Sequence, residues 1–86
     1  MKYKLVRERD GLEKYSGIIT WIEWKEDGTF KQAHKEPAIG LSLVMDASGL
    51  TYTWLTTTIK KIVQMSENYI KFETENSTYE LFINNL

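Results

Sequence analysis

Tyr15-Ser16-Gly17-Ile18-Ile19-Thr20-Trp21-Ile22-Glu23-Trp24-Lys25, followed at once by Glu26-Asp27-Gly28 and then Thr29-Phe30-Lys31-Gln32, is the stretch on which the fold turns. β-branched and aromatic residues dominate it, and such side chains suit a half-buried pleated surface. Alternation divides the first run into two faces. Ile18, Thr20, Ile22 and Trp24 form the more uniformly apolar one, which is expected to meet the core. Trp21 then lies on the wetter face, beside Glu23 and Lys25. Asp27-Gly28 between two strand-like runs is a strong hairpin signal, because both residues tolerate positive φ. The returning strand ends at His34-Lys35-Glu36-Pro37, since Pro37 has no N–H to give a paired central strand.

Working outward, the same period of two recurs. Tyr3 and Leu5 share one face of a short first strand, with Lys2 and Lys4 on the other. Glu8-Arg9-Asp10-Gly11-Leu12-Glu13-Lys14 is charged and holds a glycine, so it reads as a loop. Ile39, Leu41, Leu43 and Met45 alternate with Gly40, Ser42 and Val44, and Gly40 marks a bulge or bend. Asp46-Ala47-Ser48-Gly49 is a turn, and Leu50-Thr51-Tyr52-Thr53-Trp54-Leu55 a strand. In Thr56-Thr57-Thr58-Ile59-Lys60-Lys61-Ile62, a capping threonine with Ile59 and Ile62 at spacing three predicts a 3₁₀ turn near 56–61. Ser66-Glu67-Asn68 and Glu75-Asn76-Ser77 are hairpin turns. Between and after them run two strands with Ile70 and Phe72, then Tyr79, Leu81 and Ile83, inward.

The pattern sums to about seven short strands and no helix long enough for a parallel crossover. The expected class is therefore all-β: one small domain over residues 1–86, an antiparallel meander. An open sheet of this size would leave two edges and a bare apolar face. Curling into an SH3-like barrel or a two-layer β-roll covers both, and a pair of chains covering each other is the second solution.

The segments Leu55-Thr56-Thr57-Thr58-Ile59-Lys60-Lys61-Ile62 and Ile70 to Leu81, the latter with Thr74-Glu75-Asn76-Ser77-Thr78-Tyr79, resemble a motif of small uncharacterised bacterial and phage proteins. Those carry a Thr-Thr or Thr-Ser pair and then Thr-x-Asn-Ser-x-Tyr before the last strand. The resemblance covers the last third of the chain and implies a β fold and a phage or mobile-element origin. It carries over no activity and no functional residue. Read as residues, Asn76 and Ser77 suit a turn: Asn tolerates left-handed backbone and Ser can bond the neighbouring backbone. Tyr79 should bury its ring.

Composition narrows the chemistry. The 86 residues include no cysteine, so disulfides and thiolate metal sites are excluded. Eleven basic residues against twelve acidic ones give a net charge of -1, which provides no global attraction for duplex phosphate. Charges interrupt the first residues, and no apolar run approaches the ~20 residues of a membrane helix, so a cytoplasmic protein is expected. The one histidine, His34, stands near a strand end, where a solvated imidazole is ordinary. The five glycines are isolated and form no phosphate loop. Glu26-Asp27 and Asp46 are accounted for as turn residues. No catalytic residue, metal or cofactor is expected, and the protein is read as no enzyme.

What remains is surface. A small sheet hides one apolar face easily and two with difficulty. Tyr15, Ile19 and Trp21 should therefore stay outside as an aromatic patch, with Trp21 as its anchor. Lys25, Lys31 and Lys35 border it. The leading expectation is a non-enzymatic interaction module, bound to a protein partner or to a second copy of itself. Its rival is a single-stranded nucleic-acid binder that stacks bases on Trp21 beside Lys25, Lys31 and Lys35. A small ligand-binding protein or hydrolase built on His34 is third.

Overall fold

A computed structural model describes residues 2–46 and 54–83. The described residues form nine strands and no helix: β1 (Tyr3–Arg7), β2 (Leu12–Ser16), β3 (Ile19–Trp24), β4 (Phe30–His34), β5 (Leu41–Met45), β6 (Trp54–Leu55), β7 (Ile59–Met65), β8 (Tyr69–Thr74) and β9 (Thr78–Ile83). They pair into two antiparallel sheets. One has five strands in the order β2-β1-β9-β8-β7, the other four in the order β4-β3-β5-β6. Among the described residues no ladder joins the two sheets, so they do not close into a hydrogen-bonded barrel.

The chain passes between the sheets at two corners. β2 hands over to β3 through Ser16, Gly17 and Ile18. Here the buried Ser16 hydroxyl donates to Asp46 Oδ1 at 2.6 Å, contacts the Ile18 carbonyl and accepts the Ile18 N–H at 3.0 Å. The Asp46 N–H returns to the Ile18 carbonyl at 2.9 Å, and Asp46 has φ of 54°. The second corner runs from β6 to β7. Thr56 bonds Leu43 twice, N–H to carbonyl at 3.0 Å and Oγ1 from N–H at 3.0 Å, before Ile59 joins the larger sheet.

Both β4 and β5 pair with β3, one on each side, so they run parallel to each other. The connection between them must cross β3. Its six residues, 35–40, suffice: the gap is roughly 12 Å from two strand spacings and two residues of rise, and six extended residues reach about 20 Å. Gly40 ends this strap at φ 92°, a left-handed value that a side chain would resist, and donates its N–H to the Ile59 carbonyl at 2.8 Å.

The core lies between the sheets. Leu5, Tyr79, Leu81, Ile70, Phe72 and Ile59 come from the larger sheet, and Trp21, Leu41, Leu43 and Met45 from the smaller. The Phe72 ring stands at its centre. Trp21 meets it edge-on at 5.7 Å and Tyr79 stacks on it at 5.5 Å, geometries that aromatic pairs favour.

Four expectations are corrected here. First, the faces of β3 are reversed. Trp21 is 2 % exposed, while Ile18 is 59 % exposed. Ile18 belongs to the corner, not to the strand, so it lends no weight to a face. Without it the larger indole takes the core. Glu23 shares that inward face at its margin, where His34 and Lys31 satisfy it. Second, Leu12-Glu13-Lys14 is strand rather than loop, paired with β1 in full register. Third, no 3₁₀ turn forms at 56–61. The spacing of three comes from β-bulges: β7 shifts register between Ile59 and Lys61 and again between Ile62 and Gln64. Each extra residue returns the next apolar side chain to the same face, so Ile59, Ile62 and Met65 oppose Thr74, Phe72 and Ile70. Fourth, Ile39 is 70 % exposed, because it lies on the strap before Gly40 turns the chain into β5.

The Asp-Gly hairpin forms with a different turn from the expected one. Gly28 has φ 86°, Asp27 does not enter positive φ, and the loop closes by Gly28 N–H to Lys25 carbonyl at 2.9 Å and Lys25 N–H to Thr29 carbonyl at 2.8 Å. This is a three-residue turn ending in a left-handed glycine. At 75–77 the turn is held by Thr74, whose hydroxyl donates to the Ser77 carbonyl at 3.2 Å, rather than by the Asn76 or Ser77 side chains. Of the expected turn at 46–49 and strand at 50–55, residues 47–53 lie outside the described residues.

Candidate functional site

Where the two sheets diverge they leave an open cleft of about 830 Å³. Its wall on the larger sheet consists of Tyr3, Ile83, Ile70 and Met65, one residue from each of β1, β9, β8 and β7. The opposite wall is Ile19 and Trp21 of β3, with His34 at the end of β4. Alternation places these groups. Tyr3 pairs with Ile83, and Met65 with Ile70, so each pair projects from one face of its ladder. Met65 is 54 % exposed at the lip, while Trp21 and Ile70 close the floor.

Polar groups gather at the mouth. Lys35 and Glu36 come from the strap, Ser66 and Glu67 from the β7–β8 turn. Behind them His34 Nε2 lies 2.8 Å from Glu23 Oε1, and Lys31 Nζ lies 3.2 Å from Glu23 Oε2. The His34 and Lys31 hydrogen bonds hold the Glu23 carboxyl below its ordinary pKa. An ionised Glu23 accepts only, so the imidazole presents Nε2–H to it. His34 is thus part of a three-residue hydrogen-bonded group, not a free solvated ring.

The residues expected to share one surface are divided among several. Ile19 and Trp21 line the cleft, and Lys35 stands at its mouth. Trp21 is enclosed, so it can neither anchor a partner from outside nor offer its face to a base. Tyr15 is 41 % exposed on the far face of the larger sheet, where its hydroxyl donates to Glu13 Oε1 at 2.8 Å. That face carries a cross-strand row, Tyr15–Lys4–Phe82–Tyr69, with Lys4 Nζ 6.0 and 5.8 Å from the Tyr15 and Phe82 ring centres. The Tyr69 hydroxyl donates to Glu80 at 2.6 Å, which raises its pKa to about 12. Lys31 is spent on Glu23, and Lys25 sits in the β3–β4 turn.

Tyr3, Met65, Ile70, Ile83, Glu36 and Glu67 were not singled out by the sequence. They are distant along the chain, and no local pattern joins them. His34 is different. Counting back from the Asp27-Gly28 hairpin pairs Trp21 with His34, the register observed, and sets His34 diagonal to Glu23.

Two further side chains stand out at the opposite end. Trp54 lies under the Arg7 guanidinium at 5.2 Å and the Lys14 ammonium at 5.3 Å, and its buried Nε1 has no hydrogen-bond partner. The buried Ser77 Oγ likewise has none. Arg7 also grips Asp10 through two bonds, of 3.0 and 2.7 Å, holding that carboxyl at a pKa of about 2.

Among the described residues no helix is long and apolar enough to cross a membrane. Comparison with protein-family models, with curated proteins and with solved structures gives no match.

Proposed function

We propose that this chain is a non-enzymatic β module that binds a protein partner, by taking an apolar side chain of that partner into the cleft between its sheets. The observation that carries the reading is the cleft itself: about 830 Å³, with Tyr3, Ile70, Ile83 and Met65 on one wall, Ile19 and Trp21 on the other beside polar groups, and Met65 left 54 % exposed at its lip. Concave apolar sites with a few polar groups at the rim are where ligands dock. The two corners at which strands change sheets support reading the fold as an incompletely closed small barrel of the SH3-like kind, open at this end.

The magnitude constrains the mode. Burying one Leu- or Phe-sized side chain is worth about 1.5–3 kcal/mol. A millimolar complex already needs about 4 kcal/mol, so the pocket alone gives weak docking and the rest must come from contacts at the rim. The test is a nuclear magnetic resonance titration of the isotope-labelled protein with neutral peptides that carry one Leu, Phe or Trp. Shifts should concentrate on Tyr3, Ile19, His34, Met65 and Ile83, and Met65→Glu should abolish them. Peptides that leave these resonances unmoved would end the proposal.

A second reading draws on the far face of the larger sheet. The row Tyr15–Lys4–Phe82–Tyr69 has the rings and one of the cations that a single-stranded nucleic-acid platform needs. Glu13 and Glu80 stand among them and oppose phosphate. An oligonucleotide that shows no mobility shift at low salt would dismiss it.

A further inference from the structure

Along a strand the main-chain N–H and C=O of alternate residues point to opposite sides. In β3 the sides are fixed by the bonds at its two ends. The Ile18 carbonyl accepts the Asp46 N–H on the β5 side, and the Lys25 N–H donates to the Thr29 carbonyl on the β4 side. Ile19, Trp21 and Glu23 therefore turn their main-chain groups toward the lane of β4. Trp21 and Glu23 meet His34 and Gln32 there. Ile19 meets no strand. β3 pairs with β5 from Ile19 onward but with β4 only from Trp21, because the chain bends away at Lys35 and Glu36 into the strap. Among the described residues no hydrogen bond to the Ile19 N–H or C=O crosses this lane. The vacated place lies in the cleft, which Ile19, Thr20, Ala33 and His34 line from this sheet and Tyr3 and Ile83 from the other.

We infer that the cleft takes an extended segment of a partner protein as an added strand, one residue of which sits opposite Ile19, donates its N–H to the Ile19 carbonyl and accepts the Ile19 N–H. This rests on the reading of the cleft as a docking site for an apolar side chain and adds how the main chain that carries it is held. A donor and an acceptor on one side of one residue are complementary to the same pair on an antiparallel strand. Residues opposite each other in such a pair project to the same face. The residue opposite Ile19 thus sends its side chain inward, as Ile19 does, toward Tyr3 and Ile83, and its two neighbours point away from the core. The segment is polar, apolar, polar in sequence, and its apolar residue is not proline, which has no N–H to give. The two main-chain bonds supply contacts that the apolar pocket alone does not.

The experiment uses the whole chain and three neutral peptides: acetyl-Gly-Ser-Phe-Ser-Gly-amide, the same peptide methylated on the Phe nitrogen, and the same peptide methylated on the nitrogen of the Ser that follows. Affinities are read from the resonances of Tyr3, Ile19 and Ile83. Methylation at Phe should weaken binding about tenfold, since it leaves the Ile19 carbonyl without a donor, whereas methylation at Ser, whose N–H points away from β3, should change it by less than about twofold. In the free chain the Ile19 amide should exchange with solvent faster than the Trp21 amide, and the unmethylated peptide should slow it. An Ile19 amide as protected as that of Trp21 before peptide is added would mean that the lane is already closed and would overturn the inference. Equal affinities of the three peptides would overturn it as well and leave the docking site standing. Cleft resonances unmoved by every peptide would overturn both. Concentration-dependent shifts of the same resonances without peptide would make the occupant a second copy of the chain and overturn the assignment to a foreign partner.

Discussion

The space between the two sheets is filled in the middle and open at one end. In the filled part Phe72 is sealed by Trp21 on one side and Tyr79 on the other, and all three are buried. At the open end the same strands bring Tyr3, Ile70, Ile83 and Met65 opposite Ile19 and His34, with about 830 Å³ between and around them. Both regions are built by the same alternation of side chains on the same ladders. They differ in what stands opposite. The centre has aromatic rings long enough to bridge the layers. At the mouth the smaller sheet offers only a short aliphatic, Ile19, and an imidazole turned away toward Glu23. Closure is thus a matter of side-chain reach and not of strand pattern, and the residues that fail to meet are the ones that line the cleft.

The largest expected effect comes from opening the closed region. Phe72→Ala should cost about 3–5 kcal/mol, because it removes the ring on which Trp21 and Tyr79 both pack. Chemical denaturation checks it, with an unchanged slope showing that the fold is retained. A loss under 1 kcal/mol would mean that the centre is no better packed than the mouth.

Next is the corner at which β2 hands over to β3. Ser16→Ala removes the buried hydroxyl that bonds Asp46 and Ile18, one of these bonds being to a carboxylate, a loss of about 1.5–3 kcal/mol. The same variant should shift the resonances of Ile19, which follows the corner and lines the cleft. If Ile19 is unmoved, the corner does not position the cleft wall.

At the mouth itself the expectation is near silence. Met65→Ala should alter stability by no more than about 0.5 kcal/mol, as exposed positions usually do. A destabilisation like that of the core would show that the lip is closed in solution.

The smallest effect is far from the cleft and concerns charge. The Asp10 carboxyl should titrate near pH 2, held down by Arg7, and Arg7→Gln should return it toward 3.8. Its folded pKa is below the unfolded one. The stabilisation it contributes is therefore present above about pH 4 and lost as pH falls through about 2, a window visible in acid titration by nuclear magnetic resonance.

Much of this molecule was legible along the chain. β8 and β9 read correctly, face by face, because clean alternation between two tight turns leaves one register that buries Ile70, Phe72, Tyr79 and Leu81. β3 was harder. Its two faces are almost equally apolar, and the choice between them depended on whether Ile18 counted as strand. β7 misled for another reason: bulges convert a spacing of three into one continuous face, and a bulge has no local sequence mark as firm as a turn's. The cleft was beyond reach, since its two walls are built by residues from both ends and the middle of the chain.

The sequence alone determined an all-β chain whose hairpins stand at 27–28, 66–68 and 75–77, because turn chemistry and period two are local properties of neighbouring residues. Only the tertiary structure decided which indole is enclosed, where strands leave one sheet for the other, and that both ends of the chain meet its middle around one cleft. Those outcomes depend on what packs opposite. A side chain's neighbour across ten ångströms of interior, roughly the spacing of packed sheets, is not written beside it in the chain.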